Sequence, residues 1–87
     1  MRVLLADDHT IVREGIRLLL SRNPEITIVA EVADGRSAVE QTLALSPDVV
    51  VMDIMMPDMD GILATKKIKE KMPHVRIIAL SMYADKK

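Results

Sequence analysis

Asp53 closes the apolar run Val49-Val50-Val51-Met52, and the acidic pair Asp7-Asp8 closes a second run, Val3-Leu4-Leu5-Ala6. One aspartate at a strand end is more often a cap or turn residue than a nucleophile; three at the ends of two hydrophobic strands make a site. Carboxylates gathered there would repel one another unless a cation joined them. Oxygen-only ligands favour a hard ion such as Mg²⁺, which keeps several waters and is held by one or two carboxylates together with phosphate oxygens. The chemistry these residue types imply is phosphoryl transfer, with Asp53 the candidate nucleophile.

The elements that must position these acids can be read around them. Short continuous runs of Val, Ile and Leu fit strands buried on both faces, and in open parallel sheets ligands bind beyond the carboxyl ends of the strands. A strand is expected over residues 2–6. Ile11, Val12, Ile16, Leu19 and Leu20 recur at helical spacing and predict a helix over 10–22, with Thr10 as its N-cap and Asn23-Pro24 as its stop. Residues 27–32 read as a strand. Asp34-Gly35 turns the chain into a helix at about 36–45 carrying Val39 and Leu43. Ser46-Pro47-Asp48 precedes the strand 49–53, Met56 to Gly61 is a loop, residues 61–72 a third helix, and 75–81 a fourth strand. The order βαβαβαβ calls for a parallel α/β sheet with right-handed crossovers. No repeat or low-complexity linker interrupts it, so residues 1–87 read as one small domain. With sheet order 2-1-3-4, the fourth strand lies at an open apolar edge that invites pairing with another chain.

Other motifs resolve to plainer readings. Asp58-x-Asp60-Gly61 has the look of a calcium loop, but setting Gly61 at its sixth position puts Met56 first and Lys67 last, where an acid is required. His9 reads as a solvated neighbour of the acids and is left out of the metal set. Lys66, Lys67, Lys69 and Lys71 are interleaved with Glu70 and fit the wet face of a helix. Most of the seven methionines are expected to be flexible packing. Twelve Lys plus Arg against thirteen Asp plus Glu leave a net charge of −1, so no basic field collects nucleic acid or anionic membrane. No apolar stretch approaches the ~20 residues that span a bilayer, and the N-terminus lacks a signal-peptide pattern. The absence of cysteine suits a reducing compartment. A cytoplasmic protein is expected.

The acidic pair after strand one, Asp53 after strand three, the run Asp53-x-x-Met56-Pro57-x-x-x-Gly61, and Ser81 after strand four together resemble the receiver domain of two-component response regulators. Val3 to His9 and the following Val12-Arg13-Glu14-Gly15 look most like receivers that precede a LuxR-type (NarL-type) helix-turn-helix domain. The resemblance implies a flavodoxin-like, CheY-like sheet of order 2-1-3-4-5. The fifth strand, with its lysine and switch aromatic, is expected to have no counterpart in these residues, and Lys86 and Lys87 come too early to replace that lysine. By position, the resemblance makes Asp53 the phosphoacceptor for a sensor histidine kinase. Asp8 would hold Mg²⁺ directly, Asp7 largely through water, and the backbone carbonyl of Met55 would add a ligand. Ser81 would hydrogen-bond the phosphoryl oxygen and couple modification to loop movement and dimerisation. Met55 and Tyr83 stand two residues beyond Asp53 and Ser81, where bulk implies slow loss of the phosphoryl group. DNA would be bound only by a downstream transcription-regulator domain.

Two alternatives come from other classes. A metal-dependent phosphohydrolase of haloacid dehalogenase type also uses a strand-end aspartate, but wants a second acid two residues on, where Met55 stands. An inactive structural fragment that self-associates through its fourth strand is the other.

Overall fold

The computed structural model describes residues 1–80. Seven elements alternate: β1 (Arg2–Ala6), α1 (Thr10–Ser21), β2 (Thr27–Val32), α2 (Gly35–Leu45), β3 (Val49–Asp53), α3 (Gly61–Lys71) and β4 (Arg76–Leu80). The strands form one parallel sheet in the order β2-β1-β3-β4. The strand and helix pattern calls for such a parallel sheet, and its order is the CheY-like, flavodoxin-type one that the family resemblance implies.

Alternation along each strand divides the core in two. Leu4, Ala6, Val50 and Met52 face α2 and α3 and pack with Ala38, Ala64, Ile68 and Val75. Val3, Leu5, Val49 and Val51 face the other way and meet Ile16 and Leu20 of α1. Strand β2 changes face midway. Val3 pairs with Ile28 but Leu4 with Ala30, and the skipped Val29 is a bulge. Ile28 therefore joins the α1 side, while Ala30 and Val32 join the α2–α3 side.

The helices end where local chemistry stops them, with small shifts from the sequence expectation. The N-cap of α1 is His9 rather than Thr10, and it makes no side-chain capping bond. Asp34 is more than a turn residue: its side chain accepts the Ser37 N–H at 2.7 Å and caps α2, which begins at Gly35. Ser46 closes that helix in the left-handed region at φ 48°. Helix α3 ends at Lys71, with Met72 as its C-cap, and β4 begins at Arg76 rather than Val75. Ile11 and Leu19, counted with the apolar face of α1, are 85% and 64% exposed. At about 100° per residue Ile11 lies roughly opposite the Ile16–Leu20 contact line. Among the described residues no helix is long and apolar enough to cross a membrane.

Candidate functional site

Strand register creates the site. Ala6 pairs with Met52, so the next residues, Asp7 and Asp53, emerge together at the carboxyl ends of the two central strands. Asp7 is 2% exposed and Asp53 fully buried, whereas Asp8 lies at the surface.

Asp7 is tied through its backbone on both sides. Its N–H donates to the Val32 carbonyl of β2 at 3.0 Å. Its own carbonyl accepts from Arg13 Nη1 of α1 at 2.6 Å. Arg13 in turn faces Glu31 at 3.4 Å, and Arg17 faces the other oxygen of that carboxylate at 3.3 Å. Asp7 Oδ1 accepts the His9 N–H at 2.7 Å, a local turn of the kind aspartate favours.

The loop after β3 is clasped just as closely. Met55 N–H donates to Asp53 Oδ1 at 3.1 Å. Gly61 N–H returns to the Ile54 carbonyl at 2.8 Å, and Asp60 caps α3 through the Leu63 N–H at 2.8 Å. A β-carbon on Gly61 would stand 2.3 Å from the Asp53 carbonyl oxygen, so only glycine lets the start of α3 abut the strand end. On the outer side Arg36 Nε meets Asp58 Oδ2 at 2.8 Å, with Asp58 left-handed at φ 70°. Gly35 approaches the Met59 carbonyl where a β-carbon would come within 1.9 Å.

Among the described residues, two carboxylate oxygens, Asp7 Oδ2 and Asp53 Oδ2, are buried with no hydrogen-bond partner. Such orphaned groups are costly and call for an explanation. His9 meets part of the demand: its Nδ1 is 3.1 Å from Asp7 Oδ1, 3.2 Å from Asp8 Oδ1 and 3.4 Å from Asp53 Oδ2. Ligand atoms of Asp7, Asp8, His9 and Asp53 all fall within 4.8 Å of one another. Burial pushes the Asp53 carboxyl above its ordinary range, the Met55 N–H opposes this, and the charge of Asp7 adds to it. His9 is raised by its hydrogen bond to Asp7 and by the charge of Asp8. Convergent acids, unpartnered oxygens and a site reached from solvent past Asp8 and His9 fit a small divalent cation. A groove of about 610 Å³ lies elsewhere, on the α1 side of the sheet, and shares no lining residue with the acids.

Asp7, Asp8 and Asp53 thus come together, with Met55 beside them. Ser81 and Tyr83 lie outside the described residues. His9 is half-exposed as a solvated neighbour would be, yet its ring nitrogen reaches every acid. Sequence reasoning assigns Arg13 no role in the site. Its signal was its place one helical turn after His9, with its N–H bonded to the His9 carbonyl.

Residues 3–87 match the family described as the response regulator receiver domain. The transcriptional regulatory protein LiaR of Bacillus subtilis strain 168 is 44% identical over 85 residues, covering 98% of this chain and 40% of LiaR. The chain thus spans about two fifths of the length of the curated relatives it matches. A crystal structure of a LuxR-family two-component response regulator from Aurantimonas sp. SI85-9A1 superposes with TM-score 0.89 at 42% identity, covering 95% of this chain and 59% of that one. The CheX–CheY–BeF3–Mg complex from Borrelia burgdorferi gives TM-score 0.91 at 28% identity, covering 99% and 65%. None of these likenesses supports the haloacid dehalogenase alternative. A parallel sheet of order 2-1-3-4, acids at its central strand ends, and a match over residues 3–87 lead to one conclusion: the chain belongs to the response regulator receiver domain family.

Proposed function

We propose that Asp53 is the phosphoacceptor of this receiver. Its carboxylate attacks the phosphorus of a histidine kinase's phosphohistidine; the P–O bond of an acyl phosphate forms as the P–N bond breaks, and the departing imidazole nitrogen takes up a proton. The observation that carries this reading is the buried Oδ2 of Asp53, without a hydrogen bond among the described residues, beside the carboxylates of Asp7 and Asp8. The Met55 N–H holds Oδ1 and so orients the carboxylate with Oδ2 left to react.

Asp7, Asp8, Asp53 and the backbone carbonyl of Met55 would hold Mg²⁺, which when bound offsets negative charge on the transferring oxygens. The Borrelia complex carries Mg and BeF3 on the same fold, which supports both the ion and the phosphoryl chemistry. Ser81 serves as the hydroxyl that senses the phosphoryl group. The chain is a signalling domain that is modified once on Asp53, and no turnover of a phosphomonoester is expected from it. In the whole protein, modification acts through homodimerisation on a helix-turn-helix domain that binds DNA and controls transcription in the cytoplasm. The likeness to LiaR, a transcriptional regulatory protein, supports that assignment. Strand β4, paired only with β3 among the described residues, is one surface for the self-association.

Intact mass after incubation with Mg²⁺ and acetyl phosphate tests the proposal. A phosphate-sized gain in the wild-type chain that Asp53→Asn abolishes is the expected result. A gain that survives the substitution would move the acceptor to another residue.

A further inference from the structure

The phosphoacceptor reading leaves one member of the cluster without a role. His9 is the N-cap of α1, held by its N–H on Asp7 Oδ1 and by its carbonyl on the Arg13 N–H, at 2.7 and 2.9 Å. Nothing in that backbone arrangement requires an imidazole, and the side chain makes no capping bond. Its Nδ1 instead stands 3.1, 3.2 and 3.4 Å from one oxygen each of Asp7, Asp8 and Asp53. Around an octahedral ion with bonds of about 2.1 Å, adjacent ligand atoms are roughly 3.0 Å apart and opposite ones roughly 4.2 Å. The nitrogen thus stands from each of the three oxygens near the spacing of adjacent ligands, and a ligand atom of each of the four residues lies within 4.8 Å of the others. Among the described residues Asp7 Oδ2 is buried without a hydrogen-bond partner, and Asp53 Oδ2 has only the imidazole nitrogen at 3.4 Å, so the cluster is short of a positive centre even with the imidazole in place.

Resting on the cation site described above, we propose that His9 supplies a nitrogen ligand there, so that the site prefers Zn²⁺ or Co²⁺ over Mg²⁺ by more than its carboxylates alone would. The reason is ligand softness. Imidazole nitrogen suits Zn, Co and Ni, whereas Mg²⁺ favours oxygen and holds its own water tightly. A nitrogen beside three carboxylates therefore strengthens binding of the borderline ions and adds little for Mg²⁺. The competing role for His9 is that of a resident cation that merely offsets the acids. That role gives the opposite sign: any divalent ion would have to displace the ring, and removing it would tighten Mg²⁺ and Zn²⁺ alike.

Calorimetric titration of the chain and of His9→Ala with Mg²⁺ and with Zn²⁺ separates the two. Ligation predicts that Zn²⁺ binding weakens on the order of tenfold or more in the variant while Mg²⁺ binding stays nearly level. The imidazole nitrogen spectrum gives a second readout. On Zn²⁺ addition His9 Nδ1 should shift, while His74, which lies with Met1, Asp48 and Arg76 at the other end of the strands, should not. Tightening of both ions, equal weakening of both, or a shift at Nε2 in place of Nδ1 would overturn the proposal while leaving the carboxylate site standing. Binding of neither ion by the wild-type chain would overturn the cation site and this inference together. Loss of Mg²⁺ binding in Asp53→Asn marks the intact site.

Discussion

Burial without a hydrogen bond is expensive for a carboxylate, and among the described residues Asp53 is fully buried with no hydrogen bond to Oδ2 and two other acids beside it. Asp53→Asn should therefore stabilise the chain in the absence of divalent cation, by about 1–3 kcal/mol at neutral pH. The pH dependence follows from the raised folded-state pKa, due first to burial. Above that pKa the folded state must hold the charge, so the advantage of asparagine is present there. It fades as pH falls through the raised pKa and is gone below the ordinary carboxylate value, where aspartate is neutral in both states. Thermal unfolding in chelator across this range checks the sign; a lower midpoint for the variant at neutral pH would mean that Asp53 is satisfied in a way its two oxygens do not reveal. At this scale the acids were legible because strand-end carboxylates are written in consecutive residues. The reach of His9 to Asp53 was not, since it depends on β3 arriving beside β1.

At the scale of elements, the acid site is held by contacts that link helices to strand ends. Arg13 bridges α1 to the Asp7 carbonyl and to Glu31 of β2. Arg13→Ala removes a positive charge from the neighbourhood of the acids, which alone would favour cation binding. Loss of the anchor on Asp7 acts the other way, and we expect it to win, weakening Mg²⁺ binding in a calorimetric titration. Arg13→Lys should recover only part of the loss, because one ammonium cannot reproduce the planar fork of guanidinium donors. Tighter Mg²⁺ binding in Arg13→Ala would reduce the residue to a bystander charge. Two glycines make a second, matched test. Gly35 is pressed on the Met59 carbonyl, so Gly35→Ala should cost about 1–3 kcal/mol as the loop is pushed away. Gly15 lies mid-helix in α1 with nothing near its missing β-carbon, so Gly15→Ala should gain about 0.5–1 kcal/mol. Denaturant unfolding of both variants measures the contrast, and equal effects would refute the close approach at Gly35. The element order was readable from alternating apolar runs and turn residues. The Val29 bulge was not, because Thr27 to Val32 reads as one continuous strand and nothing local marks where it changes face.

Taken whole, the molecule is covered unevenly. Among the described residues, helices α2 and α3 close one face of the sheet, while α1 alone lies on the other and leaves a groove of about 610 Å³ lined by Val3, Leu20, Ile26, Val49, Val51 and Ile78. Beside that groove β4 forms an edge of the sheet among the described residues, and Ile78 is 52% exposed on it. An apolar edge strand with unpaired backbone groups is a template for another chain. Self-association that rises with concentration follows, and sedimentation velocity over a wide concentration range should show it. Ile78→Lys should shift the distribution toward monomer, since a charge on an edge strand is difficult to bury against a partner. Thermal stability should change little, because Ile78 contributes only part of its side chain to the core. A wild-type chain that remains monomeric at the highest concentration would rule out this surface. Loss of association together with a large fall in stability would show instead that Ile78 acts within the fold. Retained association in a stable Ile78→Lys variant would move the contact to another exposed apolar position, and Ile11 and Leu18 on the outer side of α1 are the next to substitute.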